Sequence, residues 1–292
     1  MCDERTEAEN ERWLLARRDV TLMGAGAALA MMVPACASGT SPDQGSAATA
    51  SRKVSITTPD GTADGFFVYP AKGRHPAVIL WPDIASLRSA YEIMATRLAG
   101  AGYAVLVVNP YYRSAPAPIF ASFAEWRTEA GQAKLQPMRA ALTPEAITRD
   151  AGAFVDWLDR QAQVDTTRKI GSAGYCMGGP FALRTAAARP ERVGAAASFH
   201  GAGLVTGAPD SPHLLMPKMK AALLIAIAQN DDEREPEAKT ALRATADAAK
   251  RLAEIEVYPA QHGWCTIDSP VYDREQAERA WGRMLATFSR SL

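Results

Sequence analysis

One stretch of the chain gathers the residue types that nucleophilic chemistry needs. In Ser172-Ala173-Gly174-Tyr175-Cys176-Met177-Gly178-Gly179-Pro180, a cysteine stands among glycines, between an apolar run and a run of helical spacing. A strand that turns sharply into a helix through Gly-x-Cys-x-Gly is a nucleophile elbow. The turn forces its central residue into strained dihedrals, and only neighbours as small as glycine leave it room. The side chain is lifted above the sheet, and the N–H groups of the following helix start point at the same spot. There they favour a thiolate and stabilise an oxyanion. The bland alternative is a small buried thiol in a tight turn.

Such a nucleophile needs a base and a group that orients the base. In this architecture they follow in chain order, acid and then histidine, each after a later strand. "LLIAIAQNDDE" ends a strand at Ala228 and delivers Asp231 and Asp232; "EIEVYPAQHGW" ends the next near Pro259 and delivers His262. The chain has only four histidines, which narrows the choice of base. His75 precedes an early strand, at the wrong edge. His213 lies in a Pro-rich loop, where a solvated or capping role fits. His200 ends a strand in "SFHGAG" and can line the site, but it comes before the acid. Order therefore favours His262 as base, and the offset from the strand favours Asp231 over Asp232.

The elements that must carry these residues are legible from periodicity. "KVSITT" and "DGFFVYP" flank the turn signal Pro59-Asp60-Gly61 and predict a hairpin. "PAVILWP" and "YAVLVVNP" are continuous apolar runs, the mark of strands buried on both faces, with "YEIMATRLAGAG" as a helix between them. Thr143 caps a helix with Pro144 at its first position, and Ile147, Ala151, Phe154, Val155 and Leu158 share one face. Strands at "RKIGSAGY", "RVGAAASFH", "KAALLIAIA" and "EIEVYP" alternate with helices at "PFALRTAAARP", "PEAKTALRATADAAKRLA" and from Arg274 to the end. That alternation predicts an α/β domain with a mostly parallel sheet covered by helices on both faces, its strand C-terminal ends at one edge. Residues 110–142 interrupt the rhythm with Phe120, Phe123, Trp126 and Met138; they form either a lid or a cover for the sheet edge.

Gly174-Tyr175-Cys176-Met177-Gly178-Gly179, Asp231 and His262-Gly263-Trp264 together resemble the dienelactone hydrolase family, Cys-His-Asp members of the α/β-hydrolase fold. The resemblance runs from about residue 52 to the end of the chain. It implies Cys176 as nucleophile, His262 as base and Asp231 as orienting acid, with the N–H groups of Met177 and Ile84 as the oxyanion hole. The family's thiol-holding glutamate corresponds to Asp83, one methylene shorter. Tyr111-Tyr112-Arg113 resembles one of two arginine sites for a substrate carboxylate. Where the second is expected the chain reads Trp264-Cys265-Thr266. Tyr111, Arg113, Trp264 and His200 are thus the expected substrate-binding residues. Cys265 is expected as buried filler, with no disulfide to Cys176.

Bulk composition and the first residues complete the reading. Lys+Arg and Asp+Glu number 32 each, so no net field attracts nucleic acid. Scattered histidines and cysteines give no metal-ligand spacing, and no cofactor is expected. Arg17-Arg18 ahead of "DVTLMGAGAALAMMV" resembles a twin-arginine export signal over residues 1–37, followed by a polar linker over 38–51 and one hydrolase domain over 52–292. Two processing routes fit: lipidation of Cys36 in "VPAC", which would anchor the protein to a membrane, or cleavage after Ala37. A cytosolic amphipathic N-terminus is the plain alternative. The expected activity is hydrolysis of a small ester or lactone through a thioester, in a periplasmic or envelope protein, monomeric or homodimeric. A non-catalytic envelope-anchored binding protein and a thioester-forming acyltransferase are the alternatives.

Overall fold

The computed structural model describes Asn10 and residues 48–292. The expected export signal, the expected linker up to residue 47, Cys2 and Cys36 lie outside the described residues, Asn10 excepted. Strands β1 (Thr49–Thr58) and β2 (Gly61–Pro70) form the hairpin expected around Pro59-Asp60-Gly61. β3 (Ala77–Trp81), β4 (Ala104–Val108), β5 (Ile170–Tyr175), β6 (Val193–Phe199), β7 (Ala222–Ala228) and β8 (Ala253–Tyr258) complete an eight-stranded sheet. The spatial order is β1-β2-β4-β3-β5-β6-β7-β8, and every pairing from β4 to β8 is parallel.

Helices cover both faces, which is why the central strands carry unbroken apolar runs rather than alternation. All ten residues of β3 and β4 are buried. On one face α1 (Ser89–Gly100) and the closing helix, called α8 here (Arg274–Ser291), supply Tyr91, Met94, Leu98, Met284 and Phe288. On the other, α4 (Pro144–Leu158) and α5 (Gly178–Ala188) pack Phe154 and Phe181 against Trp81. In α4 the Thr143 hydroxyl accepts the Ala146 N–H at 3.2 Å, and all five expected core residues are fully buried. The fold is the expected one.

Two stretches differ from the sequence expectation. The acidic loop after β7 is a short helix, α6 (Gln229–Arg234). The helix expected over 236–253 is α7 (Ala238–Ala248), because Lys250 adopts φ +55° and Arg251 N–H closes onto the Ala246 carbonyl at 2.8 Å. That left-handed residue ends the helix and frees the chain for β8. Residues 110–142 contain α2 (Phe123–Trp126) and α3 (Glu129–Arg139), capped by Ser122 and Thr128, with Phe120, Phe123 and Trp126 buried.

Candidate active site

Parallel strands bring the carboxyl ends of β3, β5, β6, β7 and β8 to one rim, and all of the candidate residues that follow those ends lie there. Cys176 follows β5 directly and has φ +51°, a conformation non-glycine residues rarely accept. The glycines around it are required by space. A Cβ on Gly174 would lie 1.9 Å from the Gly178 carbonyl oxygen, and one on Gly178 would lie 2.3 Å from that of Trp81. The elbow is therefore wedged against the end of β3, where Ile84 and Asp83 sit.

His262 Nδ1 donates to Asp231 Oδ2 at 2.7 Å, and the His262 N–H donates to Asn230 Oδ1 at 2.8 Å, so α6 grips both the ring and the backbone of this loop. Asn10 Nδ2 adds a 3.0 Å bond to the His262 carbonyl. Asp232 turns away to Lys239 of α7 at 2.6 Å, the solvated role open to it. Burial works to lower the His262 pKa. The Asp231 carboxylate and the neighbouring Cys176 sulfur overcome that and push it up to about 10. An imidazole so placed can hold a proton taken from a neighbouring acid.

His200 behaves in the opposite way. Its Nδ1 accepts the Cys176 N–H at 3.1 Å, which leaves the ring proton on Nε2, and that atom has no partner among the described residues. Its ring stands edge-on to His262 at 4.9 Å and to Trp264 at 5.1 Å. Burial, reinforced by His262, drives its pKa well below the usual histidine range. Two adjacent histidines are thus pushed apart in basicity, and only one has a carboxylate behind it.

Two expectations need correction. Arg113 is bound bidentately to Asp150 at 2.7 and 2.8 Å and to Asp60 at 2.6 Å, so its guanidinium serves the β1–β2 turn and α4 rather than a substrate carboxylate. Trp264 is fully buried and stacked on Tyr258 at 5.2 Å, as core. Asp83 has both carboxylate oxygens on Arg88, at 2.8 and 3.0 Å, and its Oδ1 also accepts the Ala85 N–H. Tyr111 is buried, and its hydroxyl lies 3.1 Å from the Ile84 carbonyl and 3.2 Å from Met177 Sδ. It braces the two residues expected to form the oxyanion hole. Cys176 and Cys265 are not joined by a disulfide, and Cys265 is buried on the wall of an apolar cavity of about 70 Å³ with Met94, Phe199 and Trp281. Among the described residues, no group of three or more His, Cys, Asp or Glu is placed to hold a metal ion.

Sequence reasoning missed Arg88, Asp268 and Asn230. Arg88 looks like any charge at a helix start, and its partner Asp268 is 180 residues away. Asn230 did carry a signal, since it stands one residue before the favoured acid.

Comparison with known proteins bears on the family and the fold. The model of the dienelactone hydrolase family matches residues 63–292. A Yersinia pestis protein described as a carboxymethylenebutenolidase is 27% identical over 247 residues, covering 80% of this chain and 86% of that protein. The carboxymethylenebutenolidase of Rhodococcus opacus is 29% identical over 150 residues, 51% of this chain and 52% of that one. Among solved structures, a dienelactone hydrolase-like promiscuous phosphotriesterase from metagenomic libraries superposes with a TM-score of 0.68 at 22% identity, over 84% of this chain and 99% of that one. A dienelactone hydrolase from Anabaena variabilis does so with a TM-score of 0.58 at 20% identity, with the same coverage.

Proposed function

The chain belongs to the dienelactone hydrolase family, a hydrolase of lactone or ester substrates, and from that premise we propose that it works through a cysteine nucleophile and a thioester. The observation that carries this is the 2.7 Å Asp231–His262 contact beside a cysteine held at positive φ on an elbow. His262 takes the Cys176 proton, and the thiolate adds to the acyl carbon. The carbonyl electrons move to an oxyanion met by the N–H groups of Met177 and Ile84. Collapse expels the alcohol oxygen, which takes the proton back from His262, and leaves a thioester.

Deacylation follows from the same charges. Part of the lift on the His262 pKa comes from the Cys176 sulfur. Once that sulfur is acylated its charge is gone, the imidazole is less basic, and it is neutral after giving up its proton. It can then accept a proton from water, which attacks the thioester and releases the acid and the thiolate. Tyr111 supports the step by bracing both oxyanion residues, where loss of one donor typically costs about 2.7–4 kcal/mol.

With Arg113 bound by two carboxylates and Trp264-Cys265-Thr266 standing where the second family arginine is expected, the substrate is an ester or lactone whose recognition does not depend on a carboxylate. Hydrolysis of p-nitrophenyl acetate by the protein and by Cys176→Ala and His262→Ala tests the mechanism. Both variants should lose turnover; full activity in both would end this reading. We also place the protein outside the cytoplasm on the strength of Arg17-Arg18 and the apolar run after it. Cell fractionation with Arg17→Lys and Arg18→Lys together should trap it inside.

A further inference from the structure

A buried cation lies beside the elbow and has no part in the steps above. Arg88, the residue preceding α1, is 1% exposed. Its Nη1 and Nη2 donate to the two oxygens of Asp83, and its Nε and Nη2 donate to the two oxygens of Asp268 at 2.8 and 2.7 Å. Nη1 also donates to the Ser86 carbonyl at 3.0 Å. Burying a guanidinium is costly unless its donors are met, and here two carboxylates meet it as bidentate forks. The rings of Tyr91 and Phe123 flank it at 5.0 and 5.6 Å.

What the guanidinium joins matters more than how well it is satisfied. Asp83 immediately precedes Ile84, and its own N–H donates to the Tyr91 hydroxyl at 2.9 Å. Asp268 follows the His262 loop, and its Oδ2 also accepts the Phe123 N–H at 2.9 Å, at the start of α2. One cation therefore ties the oxyanion loop, the histidine loop and the covering helix together. Asp83 directly follows Pro82, whose carbonyl and that of Trp81 the elbow abuts at Gly178, so a charge on its carboxylate opposes one on Cys176; burial already raises the Asp83 pKa. Arg88 acts against both effects.

We propose that Arg88 is a positioning residue that acts on Cys176 through Asp83, cancelling the carboxylate charge beside the thiol while Asp268 couples the same cation to the histidine loop and α2. The inference rests on Cys176 being the nucleophile. Besides Asp83, the ionisable groups around the elbow are His262 with Asp231 behind it, His200 at the end of β6, Tyr111 after β4, and Tyr91 of α1. All of them are left unchanged by the variants that follow.

The test is the pH dependence of Cys176 alkylation by iodoacetamide, followed by mass spectrometry, in the full chain. In Arg88→Met, Asp83 and Cys176 compete for one proton, and the alkylation midpoint should move up by about one pH unit, the low end for a neighbouring charge. In Asp83→Asn, which keeps the volume and the acceptor for Ala85, the midpoint should move down. The double variant should lie between them, near the parent. A fold that merely lost a structural ion pair would not give shifts of opposite sign. Should Arg88→Met fail to fold, Asp83→Asn decides alone: an unmoved or raised midpoint overturns the proposal. Equal midpoints in every variant, with Cys176 still reactive, sink the role of Arg88 and leave the nucleophile standing. A Cys176 that alkylates no faster than a free thiol in the parent protein removes the nucleophile itself, and this inference with it.

Discussion

Replacing Gly178 by alanine is the sharpest probe of how the site is assembled. The added Cβ would sit 2.3 Å from the Trp81 carbonyl oxygen and 2.6 Å from that of Pro82. Ordinary contact begins near 3.4 Å, so roughly 1 Å of separation must be found. β3 cannot supply it, because Trp81 is paired to Gly174 of β5 and buried between Phe154 and Phe181. The start of α5 must shift instead, carrying Met177 away from Ile84 and Cys176 away from His262. A displacement of about 1 Å in reacting groups typically costs about a hundredfold in rate, or about 2.7 kcal/mol of barrier. Gly178→Ala should therefore lower kcat on p-nitrophenyl acetate by about two orders of magnitude with a small change in KM. Cys176 should still alkylate, and the far-UV circular dichroism should be unchanged. Gly207→Ala, whose Cβ meets nothing within 4 Å, is the matched control and should be silent. A Gly178→Ala enzyme within about threefold of the parent kcat would refute the argument that this close approach sets the site.

Three further outcomes follow from other contacts. Asp231→Asn removes the carboxylate that holds the His262 pKa near 10; burial then dominates, the imidazole pKa falls, and kcat at pH 7 should drop by about 10²- to 10⁴-fold. A pH–rate profile shows whether the loss follows that direction. Arg113→Met removes the cation paired with the buried Asp150, leaving it the Tyr112 hydroxyl, and should cost about 3 kcal/mol of stability in a urea titration, yet leave the kcat/KM ratio between a carboxylate-bearing ester and a neutral one unchanged. Gly282, exposed in the middle of α8 with open space at its Cβ, should gain about 0.5–1 kcal/mol on change to alanine, with no effect on turnover.

The sequence carried what depends on local pattern and chain order. The placement of Cys176, Asp231 and His262 was legible because each follows a strand that announces itself by an apolar run, and parallel connection sends every such end to one rim. The continuous runs of β3 and β4 likewise disclosed strands buried on both faces. Arg113 misled because a charge after β4 looks the same whether it faces a ligand or Asp150; only the packing of α4 beneath it decides. The Arg88–Asp268 contact has no periodicity and no spacing rule, since it joins segments that meet only when the sheet is assembled. Tyr111 was singled out as a ligand contact, but its hydroxyl points inward to Ile84 and Met177, a direction set by the third dimension.

The proposed mechanism makes one of two histidines 4.9 Å apart the base, and the partners of each favour His262 for it. A second imidazolium at that separation would repel the first strongly in a buried setting. His200 avoids this because its Nδ1 receives a backbone N–H, which a protonated ring could not accept, and because burial disfavours its charge. The Cys176 N–H is shared, however: it also donates to the Phe199 carbonyl at 3.0 Å. Replacing His200 by phenylalanine therefore orphans no backbone donor and preserves the ring packed against His262 and Trp264. His200→Phe should cost less than about tenfold in kcat, while His262→Asn should cost a thousandfold or more, roughly the scale of losing a general base together with thiol activation. If the two losses prove equal, the proton transfer does not run through His262 alone, and the assignment of the base from chain order is wrong.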